Sequence, residues 1–284
     1  MASAGRTGST APGKRSPGTV RRLLAKEPHW IVRDVLLVLM VSVVAGLFLT
    51  GFQNRLEEDR ESRAIRLEDA RDERAIRLSN VAFAREIALT RPTSDSIIPL
   101  VDMDFIEMNL SGLNLRKAHF EESQMVGTEL NNALLDEAQF TTIAGIGAGF
   151  TDASLVKAKF KNSLFREADF GRANMGGASA DLVAFDEAGF QNANLSEAVF
   201  TGVEVTNADF TDADLQGITI YSSTFAGSNF RRANMQNSTL YRVDFTNANF
   251  DETTLTDLCF ERVTWPAGFT PPPERRDCPE WPER

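Results

Sequence analysis

Residues 188–215 read AGFQNANLSEAVFTGVEVTNADFTDADL, and every fifth residue of this stretch, Phe190, Leu195, Phe200, Val205, Phe210 and Leu215, is large and apolar. The phase extends both ways without a slip. It runs back through Phe185, Met175, Phe170, Phe165, Phe160, Leu155 and Phe150 to Phe105, and forward through Ile220, Phe225, Phe230, Met235, Leu240, Phe245, Phe250, Leu255 and Phe260 to Trp265. Only Gly145 and Ala180 interrupt the large side chains. Sixteen of the twenty phenylalanines fall on this phase, and neither a 3.6-residue helix nor a two-residue strand alternation produces a period of five.

Two residues before each large residue the chain mostly places a small one, as at Ala153, Ala168, Ala193, Ala208, Ala213 and Ala233. The residue between them is usually Asp or Asn, as at Asp169, Asn194, Asp209 and Asn249, and is expected to face water. The unit is A-(D/N)-(F/L)-x-x. Taken every twentieth residue, Leu115, Leu135, Leu155, Met175, Leu195, Leu215, Met235 and Leu255 form one set, and Phe150, Phe170, Phe190, Phe210, Phe230 and Phe250 another. Like residues therefore recur every four pentads, which predicts four pentads per coil and about eight coils. Coils paired like parallel strands at about 4.8 Å stack to roughly 40 Å.

These residues resemble the pentapeptide-repeat family. The resemblance covers 103–265 and implies an all-β solenoid, a right-handed quadrilateral β-helix with the central Leu or Phe and the preceding Ala pointing inward. The departures at 141–149 and at Gly176, Gly177 and Ala180 are expected to mark an irregular coil, a kink or a small cavity. The open ends of the stack need covers. Residues 92–102 are read as a linker and N-terminal cap, with 100–105 starting the stack; 266–284, with Trp265 and Phe269, are read as a Pro-rich C-terminal cap and tail.

Outside the repeats the sequence changes character. Residues 1–34 read as a disordered basic tail, rich in Gly, Ser, Thr and Pro. Residues 35–52, VLLVLMVSVVAGLFLTGF, carry no charge and as a helix extend about 27 Å, enough to cross a bilayer. They are read as an uncleaved transmembrane helix, with the lipid bilayer as its partner; a signal peptide is the competing reading. Arg15, Arg21, Arg22 and Lys26 favour a cytoplasmic N-terminus, with the solenoid outside, although arginines between 55 and 71 flank the other side.

Residues 53–91 form a charged helical stalk ended by Pro92, in which Arg63-Ala-Ile-Arg-Leu67 recurs as Arg74-Ala-Ile-Arg-Leu78. The stripe Leu56, Ala64, Leu67, Ala75, Leu78, Ala82 and Leu89 offers a thin seam for a homo-oligomeric coiled coil. Charges interrupt it, and a solvated single helix is the alternative.

Formal charge is −10 for the whole chain; 103–265 hold 23 acidic against 11 basic residues, which is −12, so the remainder nets +2. The two cysteines, Cys259 and Cys278, are read either as a bridge tying the tail to the last coil or as two unrelated thiols. No cofactor, metal or catalytic residue is assigned. His29 and His119 are the only histidines and neither has a nucleophile to partner. Gly145-Ile-Gly-Ala-Gly149 is read as loosened coil rather than a phosphate loop, since no βαβ context surrounds it. Asp209, Asp212 and Asp214 fall short of the six or more oxygens calcium takes. A stacked rod without a cleft argues against an enzyme.

The expected function is a membrane-anchored scaffold whose faces dock an unidentified protein. The alternative implied by the resemblance is an acidic rod that mimics DNA and inhibits a type II topoisomerase. Lys157, Lys159, Lys161, Arg231 and Arg232 break the negative field, so nucleic-acid-related partners are disfavoured.

Overall fold

The computed structural model describes residues 29–90, 96–273 and 278. The basic tail before His29 lies outside the described residues. The chain forms one long helix, α1 (His29–Thr90), followed by nine short strands: β1 (Ile98–Val101), β2 (Ala118–Glu121), β3 (Gln139–Thr141), β4 (Lys159–Lys161), β5 (Ser179–Asp181), β6 (Val199–Thr201), β7 (Thr219–Tyr221), β8 (Thr239–Tyr241) and β9 (Cys259–Glu261). Each strand pairs in parallel with the next in sequence, twenty residues on, as in Phe120↔Phe140 and Phe140↔Phe160. Three further parallel bridges recur with the same period, exemplified by Asp104↔Gln124, Asn109↔Glu129 and Asn114↔Leu134. Four pairings per twenty residues make a four-sided parallel solenoid of about eight coils. The stack begins at β1, earlier than the boundary expected at 103, because Ile98 and Leu100 already pair with Ala118 and Phe120 and are fully buried.

The core is built by stacking like on like. Phe150, Phe170, Phe190, Phe210 and Phe230 form a ladder with centroids 4.7, 4.9, 4.7 and 4.8 Å apart and ring planes within 3° of parallel. That spacing is the inter-strand spacing, so each ring follows its own backbone. The pairing passes unbroken through the regions expected to be irregular, with Phe160↔Ala180, Ala180↔Phe200 and Gly149↔Asp169 all in register. The reason is complementary packing. A Cβ on Gly145 would lie 2.5 Å from Cε1 of Phe165, so that ring occupies the space the missing side chain leaves. Phe185 serves Ala180 in the same way, its centroid about 6 Å from both Phe160 and Phe200.

Every fifth residue from Asp102 to Arg262 has a positive φ, and at 26 of these 33 corners the residue is not glycine. The left-handed conformation costs an L-residue about 1–2 kcal/mol, so the corners oppose folding and the stacked core must offset them. Corner backbones are tied between coils by buried hydroxyls. Ser123 Oγ accepts from Met103 N (3.0 Å) and donates to a carbonyl, Leu100 O at 3.1 Å or Glu121 O at 2.9 Å; Ser163 Oγ accepts from Ile143 N and Ser223 Oγ from Val203 N. Buried serines at this position thus satisfy amides that lack the usual turn partner.

The last turns of α1 cover the N-terminal opening of the stack. Val81 and Ala84 are buried in the solenoid core cluster, with Ile87 and Ala88 packed beside them. Arg77 Nε donates to Asp104 Oδ2 at 2.9 Å, Asn80 Nδ2 to Asp104 O at 3.2 Å and Arg85 to Asn109 O at 2.9 Å. This face differs from the expected seam, whose Leu67, Leu78 and Leu89 stay exposed. At the other end Trp265 stacks on Phe245 (5.5 Å) and Phe269 on Phe250 (5.1 Å) and Trp265 (5.3 Å). Cys278 lies beside the buried Cys259, Cα atoms 5.3 Å apart, with the sulfurs in bonding contact.

Candidate functional site: the outer faces of the solenoid

Because inward positions are filled by the ladders, function falls to the residues pointing out, and their neighbours are set by the twenty-residue register. Arg116, Arg166, Arg172 and Arg232 pair with aspartates one coil away. Arg172 grips Asp152 through two bonds of 2.8 and 2.7 Å, Arg232 grips Asp212 through 2.6 and 2.5 Å, and Arg116 Nε reaches Asp136 at 2.8 Å. The Arg172 and Arg232 contacts are bidentate matches of the kind guanidinium makes well.

The three aspartates weighed as calcium ligands are separately engaged. Asp209 accepts from Thr211 N (2.9 Å), Gln191 and Asn229; Asp212 is held by Arg232; Asp214 accepts from Asn234 Nδ2 at 3.0 Å. Among the described residues no group of three potential metal ligands converges. Partial burial pushes the Asp209 carboxyl up, but the donors of Thr211, Gln191 and Asn229 outweigh it and hold the group below its ordinary value. Asp136 behaves alike: burial opposes ionisation, and bonds from Ser154, Arg116 and the Val156 amide prevail.

Residues 145–149 form one side of a coil, with Ala144 and Gly149 both bridged to the coil that follows, so they do not form a phosphate loop. His29 begins α1. His119 is half-buried on β2, its Nε2 accepting from Gln139 Nε2 at 3.0 Å. Near it the surface dips into a concavity of about 440 Å³ lined by Ile97, Lys117, His119, Glu137, Gln139, Lys157 and Lys159.

A second feature stands on the outer face of β7 and β8, where the chain's two tyrosines are register neighbours. Arg242 and Arg262 lie over the Tyr241 ring at 5.2 and 5.9 Å, leaving that ring 5% exposed. Sequence reasoning passed over this cluster. The signal was present, because Tyr221 and Tyr241, like Arg242 and Arg262, are one coil apart.

In α1, an apolar window of mean hydropathy 2.2 has every side chain exposed, and the helix is long and apolar enough to cross a membrane. Phe48 is 77% exposed and Leu47 70%.

The family models that match the chain describe the same repeat. Two family models match, one described as a pentapeptide repeat region over residues 101–170 and one as pentapeptide repeats (8 copies) over 183–217 and 222–264. The chain belongs to the pentapeptide-repeat family. No curated protein matches it. Among solved structures it is similar to HetL, a pentapeptide repeat protein involved in heterocyst differentiation regulation from the cyanobacterium Nostoc sp. strain PCC 7120 (15% identity, 65% of this chain and 96% of that one, TM-score 0.27). It is also similar to QnrB1, a plasmid-mediated fluoroquinolone resistance protein (21% identity, 62% and 85%, TM-score 0.34). A pentapeptide repeat protein from the Arabidopsis thaliana thylakoid lumen matches at 29% identity over 39% of this chain and 64% of that one, TM-score 0.14.

Proposed function

We propose that the protein is a membrane-tethered, non-catalytic docking module: residues 35–52 cross the bilayer, and the solenoid presents its outer faces to a protein partner. The observation that carries this reading is the wholly exposed apolar stretch of α1, which in water would leave one of the largest apolar surfaces of the chain unsatisfied. The filled interior supports a role for the faces rather than for an enclosed site, and the Tyr241–Arg242–Arg262 cluster has the composition of interface hot spots. The exposed seam of Leu67 and Leu78 is available for pairing between copies in the membrane plane.

The solenoid lies on the extracytoplasmic side in this reading, with the basic N-terminal tail in the cytoplasm. The juxtaposition of Cys259 and Cys278 supports it, because a structural bridge persists in an oxidising compartment. Single cysteines at Thr10→Cys and at the exposed Glu204→Cys, each in a Cys259→Ser, Cys278→Ser background, test it with a membrane-impermeant thiol reagent on intact cells. Labelling at 204 alone is the expected result. Labelling at 10 alone places the solenoid inside and refutes the topology.

A further inference from the structure

We propose that the concavity bounded by Lys117, His119, Lys157 and Lys159 is a binding site for a small phosphate-bearing anion. The solenoid is net negative by 12, yet its four lysines, Lys117, Lys157, Lys159 and Lys161, are confined to three successive coils and three of them line one depression. Lys117 and Lys157 occupy the same corner two coils apart, a separation of about 10 Å at the coil spacing. Lys159 stands between Gln139 and Ser179 in register, so no carboxylate faces it from either neighbouring coil.

Elsewhere on the solenoid, four arginines are answered by aspartates one coil away. Arg116, Arg166, Arg172 and Arg232 engage those aspartates, whereas neither Lys157 nor Lys159 makes an ion pair among the described residues. Among the described residues lining the depression, Glu137 is the one carboxylate, and it lies 3.9 Å from Lys117 Nζ. Among the described lining residues, three lysines stand against one glutamate, a positive balance. Like charges gathered in one depression repel, and a bound anion relieves that repulsion.

The chemistry of the ligand follows from the donors. Planar carboxylates are matched best by the guanidinium fork, which this depression lacks; ammonium groups on flexible stems act as point charges that converge on a tetrahedral oxyanion. Gln139 and His119 add further hydrogen-bonding groups. A volume of about 440 Å³ suits a small ligand or a single headgroup rather than a polymer. At the next corner Gly177 carries no side chain, and a Cβ there would touch Lys157 Cγ at 3.5 Å, so the lysine stem lies beside bare backbone.

The test is amine-acylation footprinting by mass spectrometry on the full chain in phosphatidylcholine nanodiscs, with and without millimolar pyrophosphate at near-physiological salt. Acylation of Lys117, Lys157 and Lys159 slows by roughly fivefold or more, while Lys161, on the same strand but outside the lining of the depression, slows less because it does not touch the bound anion. Lys157→Gln abolishes the protection of Lys117 and Lys159; Lys161→Gln leaves it intact. Phosphatidylglycerol nanodiscs without pyrophosphate identify the source: protection there assigns the anion to a lipid headgroup, and protection by pyrophosphate alone assigns it to a soluble ligand. Protection by neither, equal protection of Lys161, or protection that survives Lys157→Gln overturns the proposal.

Discussion

Replacing Phe190 by Ala removes one rung from the middle of the aromatic ladder. Phe190 is fully buried, its ring stacked 4.9 Å from Phe170 and 4.7 Å from Phe210, with Phe185 edge-on at 5.5 Å. The rings above and below are fixed by their own coils and cannot close the gap, so the lost transfer energy is joined by a cavity term and by two lost stacking contacts. The sum falls in the range of about 3–5 kcal/mol known for buried Phe→Ala. Because each coil touches only its neighbours, the loss is local. Hydrogen exchange read by mass spectrometry on the full chain in nanodiscs measures it at amides such as Phe170 N, bonded to Gly189 O at 2.7 Å, and Phe190 N, bonded to Asp209 O at 2.7 Å. Their protection falls by about two to three and a half orders of magnitude, at 1.4 kcal/mol per tenfold. Protection at Leu110 N, four coils away, changes far less. A fall of under tenfold at the ladder, or an equal fall at Leu110, refutes the argument that stacked rings stabilise the solenoid coil by coil.

Ala84→Glu puts a charge into the contact between α1 and the first coil, where Ala84 has no exposed surface; protection of the Phe105 and Leu110 amides drops first, while that of the Phe230 coil is kept. Leu182→Asn relieves a leucine held at φ 54° and 60% exposed, so the urea midpoint rises by an amount corresponding to roughly 0.5–1 kcal/mol, less the contact Leu182 makes over Gly202; a fall in the midpoint contradicts the corner argument. Asp136 has a folded-state pKa below its ordinary 3.8, so its contribution is present above that value and is lost as pH falls through the lowered one. Acid titration of Asp136→Asn therefore shows a smaller loss of stability below pH 3.8 than the unmodified chain, and identical acid limbs rule the contribution out.

The five-residue phase made the solenoid legible because its contacts are periodic. A residue's neighbours lie twenty positions before and after it, so like residues stacking on like leave a signature that one sequence displays. The four sides, the number of coils and the inward ladders follow from it. The left-handed corners were harder to read, since only some carry the Gly or Asn that marks such a backbone, and residues such as Glu187 and Leu182 are forced into it by their place in the coil. The candidate site was half legible: the lysines were visible as interruptions of a negative field, but not their gathering around one depression.

What the sequence alone determined is the repetitive part of the molecule, because there each contact is copied from coil to coil and backbone geometry fixes the distance. Tertiary structure decided what happens once only. Phe165 filling the space at Gly145, the Val81 and Ala84 face of α1 closing the stack, and the depression that Ile97, Lys117, Lys157 and Lys159 line together are single events of side-chain packing. They depend on volume and direction in space, for which a linear pattern carries no repeated mark.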